Sequence, residues 1–257
     1  MKIRNYFFTM ITLCLLFSGI MAYAASETTL TVDEIMDKVD ETKPDFITQK
    51  TISEMILIDK KGNEEIREMI MFSQEGENGK RSTLVRFLSP KSQKGITILN
   101  VNDGEEIRLY MPAYGKPRRM AGGDEFMGTG LSYEDMNMNY EDEDYEKKLL
   151  EETESVYIIE VIPSGEDLSY KKIIITVDKE KFYTKEVEFY DMSENLTKTL
   201  EIAKIEIDDK GKVTPMEIVF TNTEENKKTK IVIKEIEYDI ELSSGFFSNR
   251  TLSKPTL

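Results

Sequence analysis

The stretch RLYMPAYGKPRRMAGGDEFMGTGLSYEDM, residues 108–136, joins an apolar strand, a rigid turn, paired arginines and a glycine-rich loop. Four of its glycines fall between positions 122 and 130. They stand beside large apolar residues, among them Phe126 and Tyr133. Loops of this kind run over the surface, where exposed apolar groups usually mark a binding site. The stretch therefore predicts an exposed flap over a hydrophobic hollow.

On both sides of the flap, short runs rich in β-branched and aromatic residues recur at spacings of roughly a dozen, which is typical of strands. The runs span residues 52–58, 66–72, 83–88, 96–101, 107–111, 145–150, 156–162, 171–177, 184–190, 199–207, 214–222 and 229–240. Links such as 208–211 are too short for a parallel crossover, which needs about a dozen or more residues. The sequence therefore predicts roughly a dozen antiparallel strands arranged as a meander.

Few helices accompany these strands. Residues 31–42 predict an amphipathic helix, in which Thr31 and Glu34 match a capping box. Ser132 with Asp135 predicts a short second helix, and residues 246–252 predict a third. A sheet of this size curls, and so few helices cannot fill its concave face. The predicted fold class is mainly β: a large curved antiparallel sheet with a few helices as plug or lid over a hydrophobic cavity.

The N-terminus has the features of a secretory signal peptide. Lys2 and Arg4 precede an apolar run over residues 6–21, and Ala22-Tyr23-Ala24 is a small-x-small cleavage pattern. The alternative is a retained anchor helix, but about 16 apolar positions fall short of the ~20 that a bilayer span needs. We expect residues 1–24 to be removed and residues 25–257 to form a single domain in the periplasm or elsewhere in the cell envelope.

Composition excludes several classes of function. The chain has 34 Lys and Arg against 49 Asp and Glu, no histidine, and one cysteine, Cys14. Loss of residues 1–24 would leave a formal charge of −17 and no cysteine. Ser-His-Asp hydrolysis, thiol chemistry and the usual transition-metal sites are thereby excluded, and nucleic acid and anionic headgroups are repelled. The acidic run 141–146 could bind a hard cation such as calcium, but such runs are more often solvated loops, and we interpret it so. We assign no catalytic residue, metal or cofactor.

Several motifs occur in an order and spacing that match a known family. They are Arg86-Phe87-Leu88-Ser89-Pro90, Lys94-Gly95, Leu109-Tyr110-Met111-Pro112-Ala113, Arg118-Arg119, Ala121-Gly122, Phe126-Met127-Gly128 and Ser132-Tyr133-Glu134-Asp135. Over residues 86–135, about a fifth of the chain, the sequence resembles the outer-membrane lipoprotein-sorting family, a branch of the LolA-like proteins. One position departs from the family form, which often has Trp before the Leu-Tyr pair, where this chain has Arg108.

The resemblance implies a LolA/LolB-like open half-barrel whose helices lie in its mouth as a lid over a cavity for acyl chains. It implies a carrier, and no enzyme, that moves lipoproteins or other lipids across the periplasm between membranes. The cargo would be lipoprotein acyl chains, phospholipid or fatty acid. We further expect a monomer that makes transient contact with membrane-bound donor and acceptor proteins and binds no nucleic acid.

The candidate lipid-binding residues are apolar side chains of the strands and the flap: Phe72, Phe87, Leu109, Met111, Met120, Phe126, Met127, Tyr133 and Met136. Methionine suits such a site because it adapts to irregular apolar partners. Arg118 and Arg119 are candidates for contacting a lipid headgroup. They could instead pair as a weak lid latch with one of the nearby acids Asp124, Glu125, Glu134 or Asp135. We predict that residues 120–138 and 31–42 fill the hollow when it is empty and move out when lipid enters.

Two other functions stay open at this point. A protein-binding or assembly module of the cell envelope would use exposed strand edges without lipid, and would have a stable protein partner. An enzyme that relies on carboxylates alone would lose turnover on a single Glu or Asp substitution. A lipid that co-purifies with the mature chain would favour the carrier over both.

Overall fold

One antiparallel sheet of thirteen strands dominates the structure. The computed structural model describes residues 30–77, 79–137, 145–164, 169–254 and 256. The expected signal peptide, residues 1–24, lies outside the described residues. All elements named below belong to the unit Thr31–Leu257.

The strands follow one another along the chain with few interruptions. They are β1 (Thr48–Ile58), β2 (Glu64–Glu75), β3 (Arg81–Ser89), β4 (Thr97–Val101), β5 (Glu106–Tyr110), β6 (Arg118–Met120), β7 (Glu146–Glu152), β8 (Val156–Ile162), β9 (Tyr170–Asp178), β10 (Thr184–Asp191), β11 (Leu196–Ile207), β12 (Val213–Asn222) and β13 (Lys227–Tyr238). The helices of the described residues are α1 (Val32–Glu41), α2 (Tyr133–Asn137) and α3 (Asn249–Leu252).

The sheet consists of two meanders joined at a seam. Its strand order is β6-β5-β4-β3-β2-β1-β13-β12-β11-β10-β9-β8-β7. A single meander, as predicted, would leave β1 at an edge. Instead, β1 pairs with β13 in antiparallel register from Gln49 with Tyr238 to Ile58 with Lys228. The edges are therefore β6 and β7, and the sheet is not closed.

The predicted fold class is confirmed, since the described chain is mainly β with one curved, unclosed antiparallel sheet and short helices. Each of the twelve predicted runs corresponds to a strand. The thirteenth strand, β6, is only three residues long and falls in the stretch that was interpreted as a turn and loop. It forms because Arg118 and Arg119 fold back to pair with Leu109 and Arg108 of β5.

The helix α1 begins with the predicted capping box. The Glu34 backbone N–H donates to Thr31 Oγ1, and the Thr31 backbone N–H donates to Glu34 Oε2. After the helix ends, the Thr42 hydroxyl donates to the Phe182 carbonyl oxygen at 2.8 Å. The Val213 N–H donates to the Thr42 carbonyl oxygen at 2.7 Å. These two bonds fix the end of α1 against the half of the sheet that contains β10 and β12.

Alternation along the strands separates two apolar faces. We call the face that carries Phe87 the inner face and the face that carries Leu84 the outer face. Phe87 and Leu84 belong to two separate buried clusters. Residues 240–254, here called the strap, cover the outer face with Ile240, Leu242, Phe246, Phe247 and Leu252. The inner face is covered by the segment that follows β6.

A buried arginine holds the strap in place. Arg86 donates to the carbonyl oxygens of Thr251 at 3.1 Å, Leu252 at 3.2 Å and Lys254 at 2.8 Å. Its Nε also donates to Thr97 Oγ1 at 2.8 Å. Burial lowers the pKa of the Arg86 guanidinium. One guanidinium therefore satisfies the carbonyls at the end of α3, which have no partner within the helix.

Candidate functional site

Residues 121–137, here called the plug, cross the inner face because of the sheet topology. The chain must pass from β6 at one edge to β7 at the other. Twelve strand spacings separate these edges, about 58 Å if the sheet were flat. The connection therefore has to run over one of the faces, and the described part of it lies on the inner face. Residues 138–144, the remainder up to Tyr145, lie outside the described residues.

The plug is packed as core and is less exposed than the flap that the sequence predicts. Phe126 is 1% exposed, and Leu131 and Tyr133 are also buried. The Phe126 ring lies 5.5 Å from the Tyr133 ring in an edge-on arrangement and 6.4 Å from the Phe87 ring. The exposed part of the plug is the turn 121–125 together with Gly128. The apolar side chains that indicated a flap are thus inserted into the sheet.

Seven of the nine predicted lipid-binding residues come together at this place. Phe87, Leu109, Phe126 and Tyr133 belong to one buried cluster, and Met111, Met120 and Met127 pack against its margin. Met136 lies in α2, but its side chain is outside the described part of the structure.

Phe72 is separated from the other predicted residues by the thickness of the sheet. In the β2–β3 pair, Phe72 lies opposite Leu84, whereas Met69 lies opposite Phe87. Residues three positions apart on a strand point to opposite faces, so Phe72 faces outward. There its ring packs edge-on against Phe246 of the strap at 5.0 Å. This placement is a correction, because a cavity on the inner face cannot include Phe72.

Side chains of three strands tie the backbone of the plug to the sheet. Arg67 Nη1 donates to the Met127 carbonyl oxygen at 2.7 Å. Thr229 Oγ1 donates to the carbonyl of Thr129 at 3.0 Å. These donors lie on β2 and β13, so the plug bridges the seam.

The third of these ties explains a glycine. Asn222 Nδ2 donates to the Gly130 carbonyl oxygen at 3.0 Å. Gly130 has a φ of 75°, and a Cβ at this position would lie 3.1 Å from Asn222 Cβ. Only glycine allows both this backbone conformation and this close approach.

An ion pair fixes the far end of the plug. Ser132 and Asp135 form the predicted cap: the Ser132 N–H donates to Asp135 Oδ2 at 2.6 Å, and the Asp135 N–H donates to Ser132 Oγ at 3.1 Å. Lys198 Nζ of β11 donates to the same carboxylate at 2.6 Å, and the Tyr170 hydroxyl donates to Asp135 Oδ1. The Asp135 side chain is fully buried, and that of Lys198 is 16% exposed. Nearby, Glu134 accepts from Ser169 Oγ at 2.7 Å.

The predicted pairing of Arg118 and Arg119 with Glu134 and Asp135 is not found among the described residues. Arg118 Nη2 lies 3.8 Å from Met111 Sδ, and Arg119 Nη2 lies 3.5 Å from the Glu105 carbonyl oxygen. Hairpin pairing holds both arginines against β5, while the plug carries the two acids across the sheet. The partner of Asp135 is therefore Lys198, which is 63 positions away and was not considered from the sequence.

Beside the plug, a strip of the inner face is only half covered. Along β12, α1 docks at Val213 and the plug at Asn222. Ile218 lies between them, and the register aligns it with Ile202 and Ile231 of the neighbouring strands. All three are half-buried. This central strip is apolar surface that the plug does not bury fully.

A cleft opens beside the plug at Gly128 and Thr129. It has a volume of ≈ 410 Å³ and is lined by Leu57, Ile58, Asp59, Asn63, Glu64, Glu65, Arg67, Gly128, Thr129, Lys227, Lys228 and Thr229. The Arg67 guanidinium, which donates to Glu65 Oε1 at 2.8 Å, lowers the pKa of that carboxyl. The mixed lining is more polar than the cluster beneath the plug.

Burial strongly shifts the pKa of one side chain of the plug. Removal from water, helped by the charge of Asp124, raises the pKa of Tyr133 to about 12.

Within the described ranges, no group of three or more His, Cys, Asp or Glu is placed to hold a metal ion. Helices with the length and apolar character of a membrane span are likewise missing from the described residues. Residues 141–144 of the acidic run lie outside those ranges.

Three solved structures share the fold. An outer-membrane lipoprotein-sorting protein domain from Vibrio parahaemolyticus is 24% identical with a TM-score of 0.79, covering 86% of this chain and 98% of that one. A DUF1329 family protein from Desulfovibrio piger is 23% identical with a TM-score of 0.76, covering 86% and 97%. A LolA superfamily protein from Nitrosomonas europaea is 19% identical with a TM-score of 0.70, covering 87% and 100%. The predicted LolA-like fold is thereby confirmed.

Sequence comparison adds one family. A family model with the description "-like: Uncharacterized protein" matches residues 79–254. No curated protein matches the chain. The matched segment contains β3 to β13 and the plug, so the family is defined over the site described above.

Proposed function

The chain belongs to the family whose model matches residues 79–254, and from its LolA-like fold and covered apolar face we propose that it carries lipid in the cell envelope. It binds acyl chains of lipoproteins, phospholipid or fatty acid on the inner face and moves them between membranes. The observation that supports this most is the plug, because its large apolar side chains occupy the place that an acyl chain would take. Both ends of the plug remain attached when it moves.

The free energies of burying an acyl chain and of exposing the plug are similar in size, which favours a reversible exchange of one for the other. Burying fourteen methylenes contributes about 11 kcal/mol at ~0.8 kcal/mol each. Exposing Phe126, Leu131 and Tyr133 costs roughly 5–9 kcal/mol at about 1.5–3 kcal/mol per side chain. The ties to Arg67, Asn222 and Thr229 add to this cost. One chain therefore binds with a modest net gain, which suits a carrier that must also release its cargo.

The central strip is where a chain first enters. It is apolar and half-buried, and its Ile231 packs against the cluster that includes Phe126 of the plug. A chain laid along Ile202, Ile218 and Ile231 would lengthen its contact by displacing Phe126 at one end. We therefore propose that the plug moves before α1, whose end is tied to Phe182 and Val213 on the other side.

We also propose the location and the partners. The signal peptide over residues 1–24 would deliver the single domain to the periplasm or the cell envelope. There it acts as a monomer that meets membrane-bound donor and acceptor proteins. A protein-assembly role through strand edges is less favoured, because β6 is three residues long and β7 exposes Glu146, Lys148 and Glu152, which discourage edge pairing.

A crosslink can test whether the plug must move. The mature chain would have no cysteine of its own, so the double substitution Thr129→Cys with Thr229→Cys would introduce its only two cysteines, which can form one disulfide. Thr229 Oγ1 lies 3.0 Å from the Thr129 carbonyl oxygen, so the two positions are close. We expect the reduced variant to take up fatty acid and the oxidised variant to take up at least tenfold less. The reduced form is its own control, and mass spectrometry reports the state of the thiols.

Native mass spectrometry of the processed protein, taken from its own cell envelope, tests the proposal directly. An acyl ligand should accompany the protein, and hydrogen exchange should be faster in residues 121–137 of the loaded form. A chain that is always free of lipid and takes up fatty acid equally well with its plug crosslinked would refute the proposed function.

A further inference from the structure

Two segments without acidic residues stand out in a chain whose formal charge is −15. Residues 89–102 contain Lys91 and Lys94 and no Asp or Glu. Residues 107–123 contain four cations, including Lys116 and Arg118, and again no Asp or Glu. Since acids outnumber bases elsewhere, these segments are local exceptions to the negative field of the chain.

The sheet brings the two segments together. Thr97 at the start of β4 pairs with Tyr110 at the end of β5. The loop that precedes β4 therefore lies beside the loop that follows β5. A Cβ built on Gly95 would lie 3.1 Å from Pro112 Cγ, which shows how closely they pack. We define the basic tip as Lys91, Lys94, Tyr114, Lys116 and Arg118.

The charges of the basic tip are exposed and are not neutralised by described residues. All five side chains are exposed, and Tyr114 is 68% exposed, the largest value among the exposed apolar and aromatic residues described. Arg118 lies over the Tyr114 ring at 5.5 Å. Other surface lysines do form ion pairs, such as Lys171 with Glu194 and Lys230 with Glu217. None of the described ion pairs includes a cation of the tip.

We propose that the basic tip docks the protein on an anionic lipid surface. Screening confines surface electrostatics to about 8 Å at physiological salt, so the tip can be attracted while the distant acids of the sheet have little effect. Tyrosine is suited to the membrane interface, where its ring is buried and its hydroxyl stays wet. Exposed cations spread over two loops, in no described ion pair, fit a field of many equivalent headgroup phosphates better than one acidic peptide.

Docking in this way would orient the proposed carrier. Arg118 pairs in register with Leu109, which faces inward. Its charge also acts on the Tyr133 hydroxyl of the plug. The edge of the inner face next to the plug would therefore meet the membrane. This consequence rests on the proposed function, whereas the docking itself does not.

Vesicle binding tests the tip with a charge-matched control. The test variant is Lys94→Gln with Lys116→Gln; the control is Lys60→Gln with Lys61→Gln, two exposed lysines of the β1–β2 turn. Vesicles of phosphatidylglycerol mixed with phosphatidylcholine are compared with phosphatidylcholine alone. A surface cation contributes about fivefold to binding, so the test variant should bind the anionic vesicles about thirtyfold more weakly and the control within about twofold of the unsubstituted chain.

The proposal is overturned if the unsubstituted protein ignores anionic vesicles at low salt, binds neutral vesicles equally, or weakens equally in both variants. Capture of an acidic protein through the tip without vesicle binding would overturn it too. Native mass spectrometry of the test variant separates the two proposals. Acyl ligand with lost vesicle binding supports docking and carriage together, whereas vesicle binding without any acyl ligand in either protein leaves docking supported and refutes carriage.

Discussion

The plug and the strap cover opposite faces of the same strands by different means. The strap is held by one guanidinium, that of Arg86, which binds three of its carbonyls. The plug contains four glycines and is held by bonds from separate strands, such as those of Arg67 and Thr229, and by the buried ion pair of Asp135 with Lys198. The guanidinium binds the strap at one place, whereas the ties of the plug are spread over several strands. This difference supports our proposal that the plug is the cover that moves.

The largest effect on stability is expected from the aromatic side chain with which each cover packs against the sheet. Phe126→Ala should lower the free energy of unfolding by about 3–5 kcal/mol, as is usual for a buried Phe. It should also raise fatty-acid uptake, because displacing the plug then exposes less apolar surface and costs less free energy. Phe246→Ala in the strap is the matched variant: it should lower stability without changing uptake. Chemical denaturation and a fatty-acid binding assay measure both, and equal uptake by the two variants would break the comparison.

Arg86→Met should release the strap alone. Three carbonyls and Thr97 Oγ1 lose their donor, and bonds to charged groups contribute about 1.5–3 kcal/mol each, partly offset by the solvation of the freed carbonyls. We expect a loss of roughly 2–4 kcal/mol in unfolding free energy and faster hydrogen exchange over residues 246–254. Exchange in residues 126–133 of the plug should stay as it was. Faster exchange in both covers would mean that they are not independent.

Alkaline pH should loosen the plug through Tyr133. Its folded-state pKa of about 12 exceeds the ordinary tyrosine pKa of 10.0 because burial penalises the phenolate. The resulting stability is present below pH 10 and is lost as pH rises towards 12, which amounts to about 2–3 kcal/mol. Tyr133→Phe should therefore lose less stability than the unsubstituted chain over this range. Tyr114→Phe, at an exposed position, should follow the unsubstituted chain; a Tyr133→Phe profile that also follows it would contradict the assignment.

The smallest effect is expected for a single tie. Thr229→Val keeps the shape but removes the donor to the Thr129 carbonyl, which should cost about 1–2 kcal/mol and speed hydrogen exchange near residue 129. Thr51 is a matched control, because its buried hydroxyl has no hydrogen-bond partner among the described residues. Thr51→Val should be neutral or slightly stabilising. If the two variants have the same unfolding free energy, the tie to Thr129 has no value.

Local patterns gave most of the fold, because strand alternation and capping depend on neighbours in sequence. Thr31 with Glu34 and Ser132 with Asp135 were predicted as caps and are caps. What failed depends on distant pairing. Phe72 shares its apolar character with Phe87, but only the β2–β3 register shows that they face opposite ways.

The site shows the same limit in its electrostatics. Sequence proximity favoured Arg118 as the partner of Asp135, whereas the topology supplies Lys198. The crossing of the plug could not be foreseen either. It follows from the seam between β1 and β13, and no local pattern encodes which two strands meet there.

The seam between β1 and β13 also affects when the sheet can complete its folding. Gln49 and Tyr238 are partners although 189 positions separate them, and such long-range pairs slow folding. One edge of β1 stays unpaired until β13 has been synthesised. The two halves of the sheet can therefore join only late in the assembly of the described domain.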